Sequence, residues 1–339
     1  MNALQVTWFI LIGVLLTGYA VLDGFDLGVG FWYLFTRKES QRRAMLAMIG
    51  PFWDGNEVWL LTGGGAIFAA FPHVYATVFS GFYLAMMMLV ISLIFRATAL
   101  EFRNKVESRW WRRFWDLGFA IGSTLPAVLF GVAMGNILKG VPMDAAGNFT
   151  GTFLGLLTPY TVFMGLLSLA MFATHGALFI TLRAEDSLAE SADGWARKAW
   201  MVYAMLYIVI GIMTISTKPH LLANFGAFPL AVLVVLLAHG CVFLIGLLHH
   251  RKRNGWAFIT SALAMAMSMA MIGVSLFPLM VPSLADPSTG LTIVNASSSR
   301  LTLRTMLIMA SLGVPLVLAY TAWIYHRFWG KVGAENEGY

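Results

Sequence analysis

The chain has 339 residues, of which 59% are hydrophobic and 11% charged, and its formal net charge is +6. So few charges exclude a soluble globular domain and indicate an integral membrane protein, in which cytoplasmic loops rather than a nucleic-acid partner explain the positive charge. The single cysteine, Cys241, excludes a disulfide framework and a cysteine-based metal motif.

Nine apolar segments are long enough to cross about 30 Å of hydrocarbon at about 1.5 Å per residue. They cover residues 4–35, 55–72, 75–100, 114–138, 158–182, 199–217, 228–248, 256–278 and 301–326. Every Lys and Arg falls on alternate connections, except Lys139, Lys218, Arg300 and Arg304. The positive-inside rule therefore predicts an outside N-terminus and a cytoplasmic C-terminus.

The short connections leave no room for a soluble domain, so residues 1–339 are predicted to form a single integral membrane domain. We expect an all-α polytopic protein of a bacterial inner membrane. Four helices, a connection, four more and a last single helix suit two four-helix bundles plus one peripheral helix. No convincing repeat supports that arrangement, so periodicity alone does not establish it.

The first segment contains LDGFDLGVG, from Leu22 to Gly30. Asp23 and Asp26 are three residues apart and so share a helix face. Gly24 and Gly28 form a small-residue surface that allows another helix to approach closely. Ionisable groups inside a membrane segment are costly, so each needs a partner or a function.

The second segment opens with GPFWDGNEVW, from Gly50 to Trp59, where Asp54 and Glu57 share a face at the helix start. The helix dipole and the free N–H groups favour ionised carboxylates there. Three glycines follow in TGGGAIFAAFP, from Thr62 to Pro72. They indicate either an unwound substrate site, as in transporters, or close packing against a helix or a large flat cofactor.

Counting about 1.5 Å per residue along each segment places Asp23, Asp54, Arg96 and Asp116 near the cytoplasmic boundary. One interpretation is a structural cluster in which Arg96 is the counter-ion of one or two carboxylates and fixes the helix register. The other is a proton path from the cytoplasm through Asp23, Asp26, Asp54 and Glu57, because closely spaced carboxylates hold protons and order water. Acids outnumber bases, which favours the proton path.

Of the histidines, His175 and His239 lie well inside membrane segments, at depths that differ by some 10 Å. One haem iron cannot bridge them, since axial ligands lie about 2 Å either side of it. Ligation of a haem by one of them stays open, although a buried histidine more often bonds a neighbour. No catalytic triad, zinc motif or phosphate-binding loop is present, so no catalytic or metal site is predicted in this chain.

Four early motifs carry a family resemblance: LDGFDLGVG, WDGNEVWLLTGGGAIFAAFP, FSGFYLAMM and FRATALEFR. Later stretches continue it: FWDLGFAIGSTLPAVLFGVAMGN, THGA, FPLMVPS, SSSRLTL and YTAW. The chain resembles subunit II of the cytochrome bd quinol oxidases over nearly its whole length.

That resemblance implies a heterodimer with a haem-bearing subunit I, which carries two b-type haems and haem d while this chain ligates none. By the same resemblance, we expect the complex to oxidise quinol and to reduce O2 to water with cytoplasmic protons. Asp54 matches the acid that the family places on a proton path. Asp23 and Asp26 match the family's DGFD motif, and Arg96 matches its Phe-Arg pair. A structural quinone in this chain and a small single-helix subunit stay open.

Two other functions compete with the oxidase interpretation. Intramembrane acids and the glycine-rich second segment are also typical of a proton-coupled secondary transporter, but the second half has no counterpart of TGGGAIF. A purely architectural subunit would use its charges only to fix helix contacts. Replacing Asp54 by Asn separates this last alternative from a proton-conducting subunit.

Overall fold

The computed structural model describes residues 1–286 and 289–332, and these residues are predominantly helical. The α-helices are α1 Ala3–Tyr33, α2 Glu39–Ile49, α3 Trp53–Ala70, α4 Pro72–Gly81, α5 Tyr83–Phe102, α6 Arg109–Lys139, α7 Pro159–Arg183, α8 Asp186–Thr217, α9 Ala223–Ala227, α10 Ala231–His250, α11 Asn254–Leu276 and α12 Arg300–Phe328. Short 3-10 helices lie at Leu154–Leu156 and Pro219–Leu222. Strands β1 Leu279–Pro282 and β2 Gly290–Thr292 form an antiparallel pair.

Eight helices are long and apolar enough to cross a membrane: α1, α5, α6, α7, α8, α10, α11 and α12. The chain is therefore a multi-pass membrane protein. Helix α3 matches the second predicted segment, but it is not in this set because Asp54, Asn56 and Glu57 make its first turns polar. The ninth span and the orientation in the membrane stay predictions.

Several details of the predicted elements are wrong. The segment predicted as one helix over 75–100 is split into α4 and α5 at Phe82, where the backbone turns to φ −100° and ψ 22°. Its neighbour Gly81 lies against the Phe149 ring, at 2.6 Å from the position a Cβ would take. The short antiparallel pair of β1 and β2, between α11 and α12, is an unpredicted addition to the predicted all-α fold. Helix α2 was not predicted.

Helices α1 and α7 occupy the centre of the molecule. Helix α1 packs against α3, α6, α7 and α11, and α7 also packs against α6, α8 and α11. All eight residues from Asp23 to Gly30 are buried, so this part of α1 is covered on every side. The division into two four-helix bundles is not settled by these contacts and stays a prediction.

The predicted small-residue surface of α1 is the contact with α7. A Cβ on Gly28 would lie 2.0 Å from the Phe172 carbonyl oxygen and 2.9 Å from the Gly176 Cα. Any side chain at position 28 would thus force the two backbones apart. A Cβ on Gly24 would meet the Phe172 ring at 2.8 Å. The glycines set how closely the carboxylates of α1 approach their neighbours.

Helix α12 is the least buried of the eight long apolar helices. No residue of its most apolar stretch is buried, and Leu303 is the one buried residue of the helix. Trp8 donates its indole N–H to the Leu303 carbonyl over 2.9 Å, which ties the helix to α1. Ser299 caps the helix by accepting from the Thr302 N–H at 3.2 Å.

Replacing Gly28 by Ala is expected to destabilise the protein, because the new methyl group overlaps the Phe172 carbonyl. Overpacking of a tight interior contact costs about 1–3 kcal/mol. The measurement is the thermal midpoint of the purified protein in mild detergent. Gly13→Ala is the matched control, since nothing lies within 4 Å of a Cβ at that position. Equal midpoints for the two variants would contradict the contact.

Candidate functional site

Three buried charged residues, Asp23, Asp26 and Arg96, form one cluster between α1 and α5. Arg96 donates Nη1–H to Asp23 Oδ2 over 2.7 Å and Nη2–H to Asp23 Oδ1 over 2.5 Å. Asp26 lies farther away, with its Oδ2 at 3.9 Å from Arg96 Nη2. Side-chain exposure is 1% for Arg96 and 0% for both aspartates. The arginine is therefore bidentate to Asp23 and a more distant counter-charge to Asp26.

The role of Arg96 as a structural counter-ion stays a prediction, but the structure identifies the residues with which it pairs. They are Asp23 and Asp26, on the same face of α1. No ion pair between Arg96 and Asp54 is found in residues 1–286 and 289–332. Gly122 of α6 makes room for the arginine, since a Cβ there would lie 2.8 Å from the Arg96 backbone nitrogen.

A second set of hydrogen bonds leads from Asp26 toward α12. Asn56 donates Nδ2–H to Asp26 Oδ2 over 2.8 Å and to the Leu22 carbonyl over 3.0 Å. Tyr325 of α12 donates its hydroxyl to Asn56 Oδ1 over 3.1 Å. The other oxygen, Asp26 Oδ1, is buried without a hydrogen-bond partner in the described part of the chain. Buried polar atoms are rarely left unpaired, so this oxygen has capacity for one more bond.

Asn56 and Tyr325 also line a cavity of about 370 Å³ between the start of α3 and the end of α12. Asp54 and Glu101 line the same cavity, and both are exposed. Asp54 therefore lies at the mouth rather than inside the buried cluster. Glu57 is partly buried on α3 directly after Asn56. One amide side chain separates the cavity from the interior carboxylate Asp26.

Sequence reasoning did not find Asn56 or Tyr325 as members of this site. Asn56 stands between the two acids of WDGNEVW, and it points inward while Asp54 points outward. The missed signal was that a neutral amide at a buried helix position needs several hydrogen-bond partners. Tyr325 lies 269 residues away in sequence, and only the packing of α12 against α3 brings it to Asn56.

A second ionic cluster holds the last turns of α1 and α5 against the first turns of α6. Asp116 accepts a hydrogen bond from Arg42 Nη1 at 2.6 Å, from Arg103 Nε at 2.5 Å and from the Tyr33 hydroxyl. Arg103 also pairs with Glu39 of α2 over 2.9 Å. The hydrogen bond from Arg103 lowers the pKa of Glu39 below its ordinary value. Asp116, placed near the boundary by the sequence, thus belongs to a cluster separate from Asp23 and Asp26.

The two histidines predicted to lie inside membrane segments have different surroundings. His175 is fully buried, with Nδ1 at 2.5 Å from Ser261 Oγ and Nε2 at 3.1 Å from the Val21 carbonyl oxygen. Its ring stacks on Phe258 at 4.3 Å. His239 bonds the Val235 carbonyl over 2.8 Å. Because both ring nitrogens of His175 are engaged, His175 does not fit a haem iron.

The glycine triplet of α3 is regular helix. Residues 53–70 run without interruption through Gly63, Gly64 and Gly65, so the interpretation as an unwound substrate site is wrong. A Cβ on Gly63 would touch Leu16 of α1 at 3.2 Å, whereas Gly64 and Gly65 face open space within this chain. Within the described ranges no group of three or more His, Cys, Asp or Glu side chains is placed to hold a metal ion.

The comparisons with known proteins place the chain in a family. A family model for cytochrome bd terminal oxidase subunit II matches residues 4–328, and the chain belongs to this family. The bd-I ubiquinol oxidase subunit 2 of Escherichia coli strain K12 is 36% identical over 366 residues, covering 99% of this chain and 97% of the relative. The bd ubiquinol oxidase subunit 2 of Bacillus subtilis is 36% identical over 338 residues, covering 99% of both.

The fold agrees with a solved structure. A chain of the bd oxidase from Geobacillus thermodenitrificans superposes with a TM-score of 0.79 at 19% identity, covering 96% of this chain and 99% of that one. The family membership supports the oxidase subunit over the secondary transporter. It confirms the resemblance found from the motifs.

The pairing of Arg96 with Asp23 predicts a specific rescue. Arg96→Gln leaves two buried carboxylates without a counter-charge, which costs about 3–5 kcal/mol, so the yield of folded protein should fall sharply. Adding Asp23→Asn to Arg96→Gln should restore much of that yield, because amide can hydrogen-bond to amide. Adding Asp54→Asn instead should restore none. The measurement is the monodisperse fraction after purification, and rescue by Asp54→Asn alone would contradict the pairing.

Proposed function

We propose that this chain is the non-haem subunit of a quinol:oxygen oxidoreductase in a bacterial inner membrane. It pairs with a haem-bearing subunit I, supports it structurally, and conducts cytoplasmic protons for the reduction of O2 to water. In this proposal α3 spans the membrane in addition to the eight long apolar helices. That makes nine spans, with the N-terminus outside and the C-terminus in the cytoplasm.

The identity of the relatives supports the oxidase assignment. Two of them are named as subunits 2 of ubiquinol oxidases and match over almost their whole length. The engaged nitrogens of His175 support placing the two b-type haems and haem d in the partner. When bound there, the haems supply the electron transfer and the oxygen chemistry. A structural quinone and a small third subunit stay predictions from the family.

The observation that carries the proton path is the line of contacts from the cavity to Asp26. Asp54 and Glu101 stand at the cavity, Tyr325 and Asn56 form its inner wall, and Asn56 bonds Asp26. Asn56 and Tyr325 are positioning residues, since neither changes its charge. They hold Asp26 with Oδ1 unpaired, so that this oxygen can accept a proton or bind a water molecule.

Asp23 and Arg96 have a supporting part in this proposal. The bidentate pair fixes α5 on α1 and supplies one positive charge beside two carboxylates. Like charges in close proximity favour keeping one carboxyl protonated. Because Asp23 accepts from Arg96 through both oxygens, Asp26 is the carboxyl we expect to exchange its proton. Glu57, on the same helix as Asn56, stays a predicted member of the path.

The subunit assignment is tested by purifying the full-length chain in mild detergent with whatever accompanies it. A reduced-minus-oxidised spectrum should show b-type haem and a red chlorin band, with a second large membrane subunit present. A folded, colourless preparation without a partner would contradict the assignment. This measurement does not depend on which residues conduct protons.

The proton path is tested by turnover of the assembled complex with Asp54→Asn. We expect O2 consumption to fall by about tenfold or more, in keeping with the effect of losing a proton-transfer group, while haem content and subunit ratio stay unchanged. Unchanged turnover would remove Asp54 from the path. Loss of the haem signal together with turnover would instead indicate an architectural role.

Tyr325→Phe tests the inner wall of the cavity. Loss of one hydrogen bond of ordinary strength should slow turnover by about two- to tenfold and shift its pH profile, because Asn56 is no longer held in place. Tyr320→Phe is the matched control, since Tyr320 lines the same cavity and is 58% exposed. Equal pH profiles for both variants would show that the Tyr325 hydroxyl has no part in proton uptake.

A further inference from the structure

A cavity distinct from the proton path lies where the end of α7 meets the segment after α12. Its volume is about 360 Å³, within the range of about 300–1,000 Å³ that is typical of small-molecule sites. Three cationic side chains line it: Arg183, Arg327 and Lys331. None of its lining residues is acidic. Such an excess of one charge in a concave site indicates a ligand of the opposite charge.

Arg183 is the buried member of this cationic set, with 2% of its surface exposed. It donates Nη1–H to the Phe328 carbonyl over 2.6 Å, but its Nε is buried without a hydrogen-bond partner in the described residues. No ion pair of Arg183 occurs in that part of the chain. A buried guanidinium with neither a carboxylate nor a full set of acceptors needs an anion, because isolated buried charge is costly.

Aromatic rings hold the Arg183 guanidinium in place. Its Cζ lies 5.4 Å from the Phe52 ring centre, 5.8 Å from that of Phe179 and 5.7 Å from that of Trp329. Stacking against rings restricts the planar group while leaving its edge available for hydrogen bonds. A guanidinium fixed in this way is suited to an oxyanion with several oxygens.

The chain after α12 forms the other wall of the cavity. The Val332 N–H donates to the Arg183 carbonyl over 2.8 Å, and Lys331 donates Nζ–H to the Ala184 carbonyl over the same distance. Arg327 and Lys331 both line the cavity and are exposed, so they lie on its rim. The two rim cations and the buried arginine therefore converge from separate elements.

From this arrangement we infer that the cavity binds a phosphate group. Its position at the predicted cytoplasmic boundary places it at the depth of lipid headgroups, and basic pockets between transmembrane helices on that side suit anionic headgroups. A phosphate offers several oxygens to donors that approach from different directions, as Arg183, Arg327 and Lys331 do. The headgroup of an anionic phospholipid and a free phosphate share this chemistry.

The test uses native mass spectrometry of the intact complex titrated with dioleoylphosphatidylglycerol, with dioleoylphosphatidylcholine as the zwitterionic reference. The double variant Arg327→Gln with Lys331→Gln removes the rim charges and leaves buried Arg183 in place. Each cation near a phosphate contributes about fivefold in affinity, so the phosphatidylglycerol adduct should weaken about thirtyfold. The double variant Arg197→Gln with Lys198→Gln is the matched control, since both residues are exposed.

The rim variant tests whether the site exists, and competition with inorganic phosphate tests which phosphate compound binds there. Phosphatidylglycerol binding that is weaker in the rim variant but not in the control variant supports the site. If the unsubstituted complex still binds phosphatidylglycerol in millimolar inorganic phosphate, the ligand is the lipid headgroup. If inorganic phosphate displaces phosphatidylglycerol, and the rim variant again binds the lipid more weakly, the ligand is free phosphate. Equal binding in the rim and control variants would overturn the inference.

The acidic residues near the C-terminus allow one more test of the phosphate site. Glu335 and Glu337 follow Val332 by three and five residues in sequence. If phosphatidylglycerol binds the cavity only after Glu335→Gln and Glu337→Gln, the chain's own carboxylates neutralise it and the inference is overturned. Binding of equal strength with and without those substitutions supports the phosphate site.

Discussion

The ion pair between Arg96 and Asp23 is the interaction on which the rest of the site depends. Neither residue has access to water, so removing one partner would leave an uncompensated charge in the interior. The pair is satisfied only if α5 and α1 keep their present register. Once they do, Asp26 lies beside a positive charge and within reach of Asn56. The need to pair Arg96 with Asp23 thus fixes the position of Asp26, the carboxylate that we propose exchanges protons.

The close approach of backbones makes that burial feasible. Gly28 allows α7 to lie directly on α1, and Gly122 allows α6 to lie against Arg96. With larger residues the helices would separate and admit lipid or water next to the charges. The glycines and the ion pair therefore act together. The glycines let the helices pack tightly around the buried carboxylates, and the bidentate arginine neutralises the buried negative charge. The cavity at Asp54 lies where this enclosure ends, between α3 and α12.

The chain carries two kinds of buried arginine. Arg96 has carboxylate partners within the chain, whereas Arg183 has a backbone carbonyl and three aromatic rings. Both positions would be unfavourable if the charge were left unbalanced. The contrast indicates that the first serves the fold of this subunit, and that the second has its counter-charge supplied from outside the described residues. Arg103 resembles Arg96, since Asp116 and Glu39 neutralise it.

The sequence by itself determined the membrane class, the approximate helix limits and the family, because hydropathy and helical spacing are local properties. It also predicted that Arg96 lies near several carboxylates. It could not determine which acid pairs with Arg96, that Asp54 lies at a cavity, or that Tyr325 reaches Asn56. It also missed α2 and the kink at Phe82. Those features depend on contacts between residues far apart in the chain, and only the packing of helices decides which side chains meet.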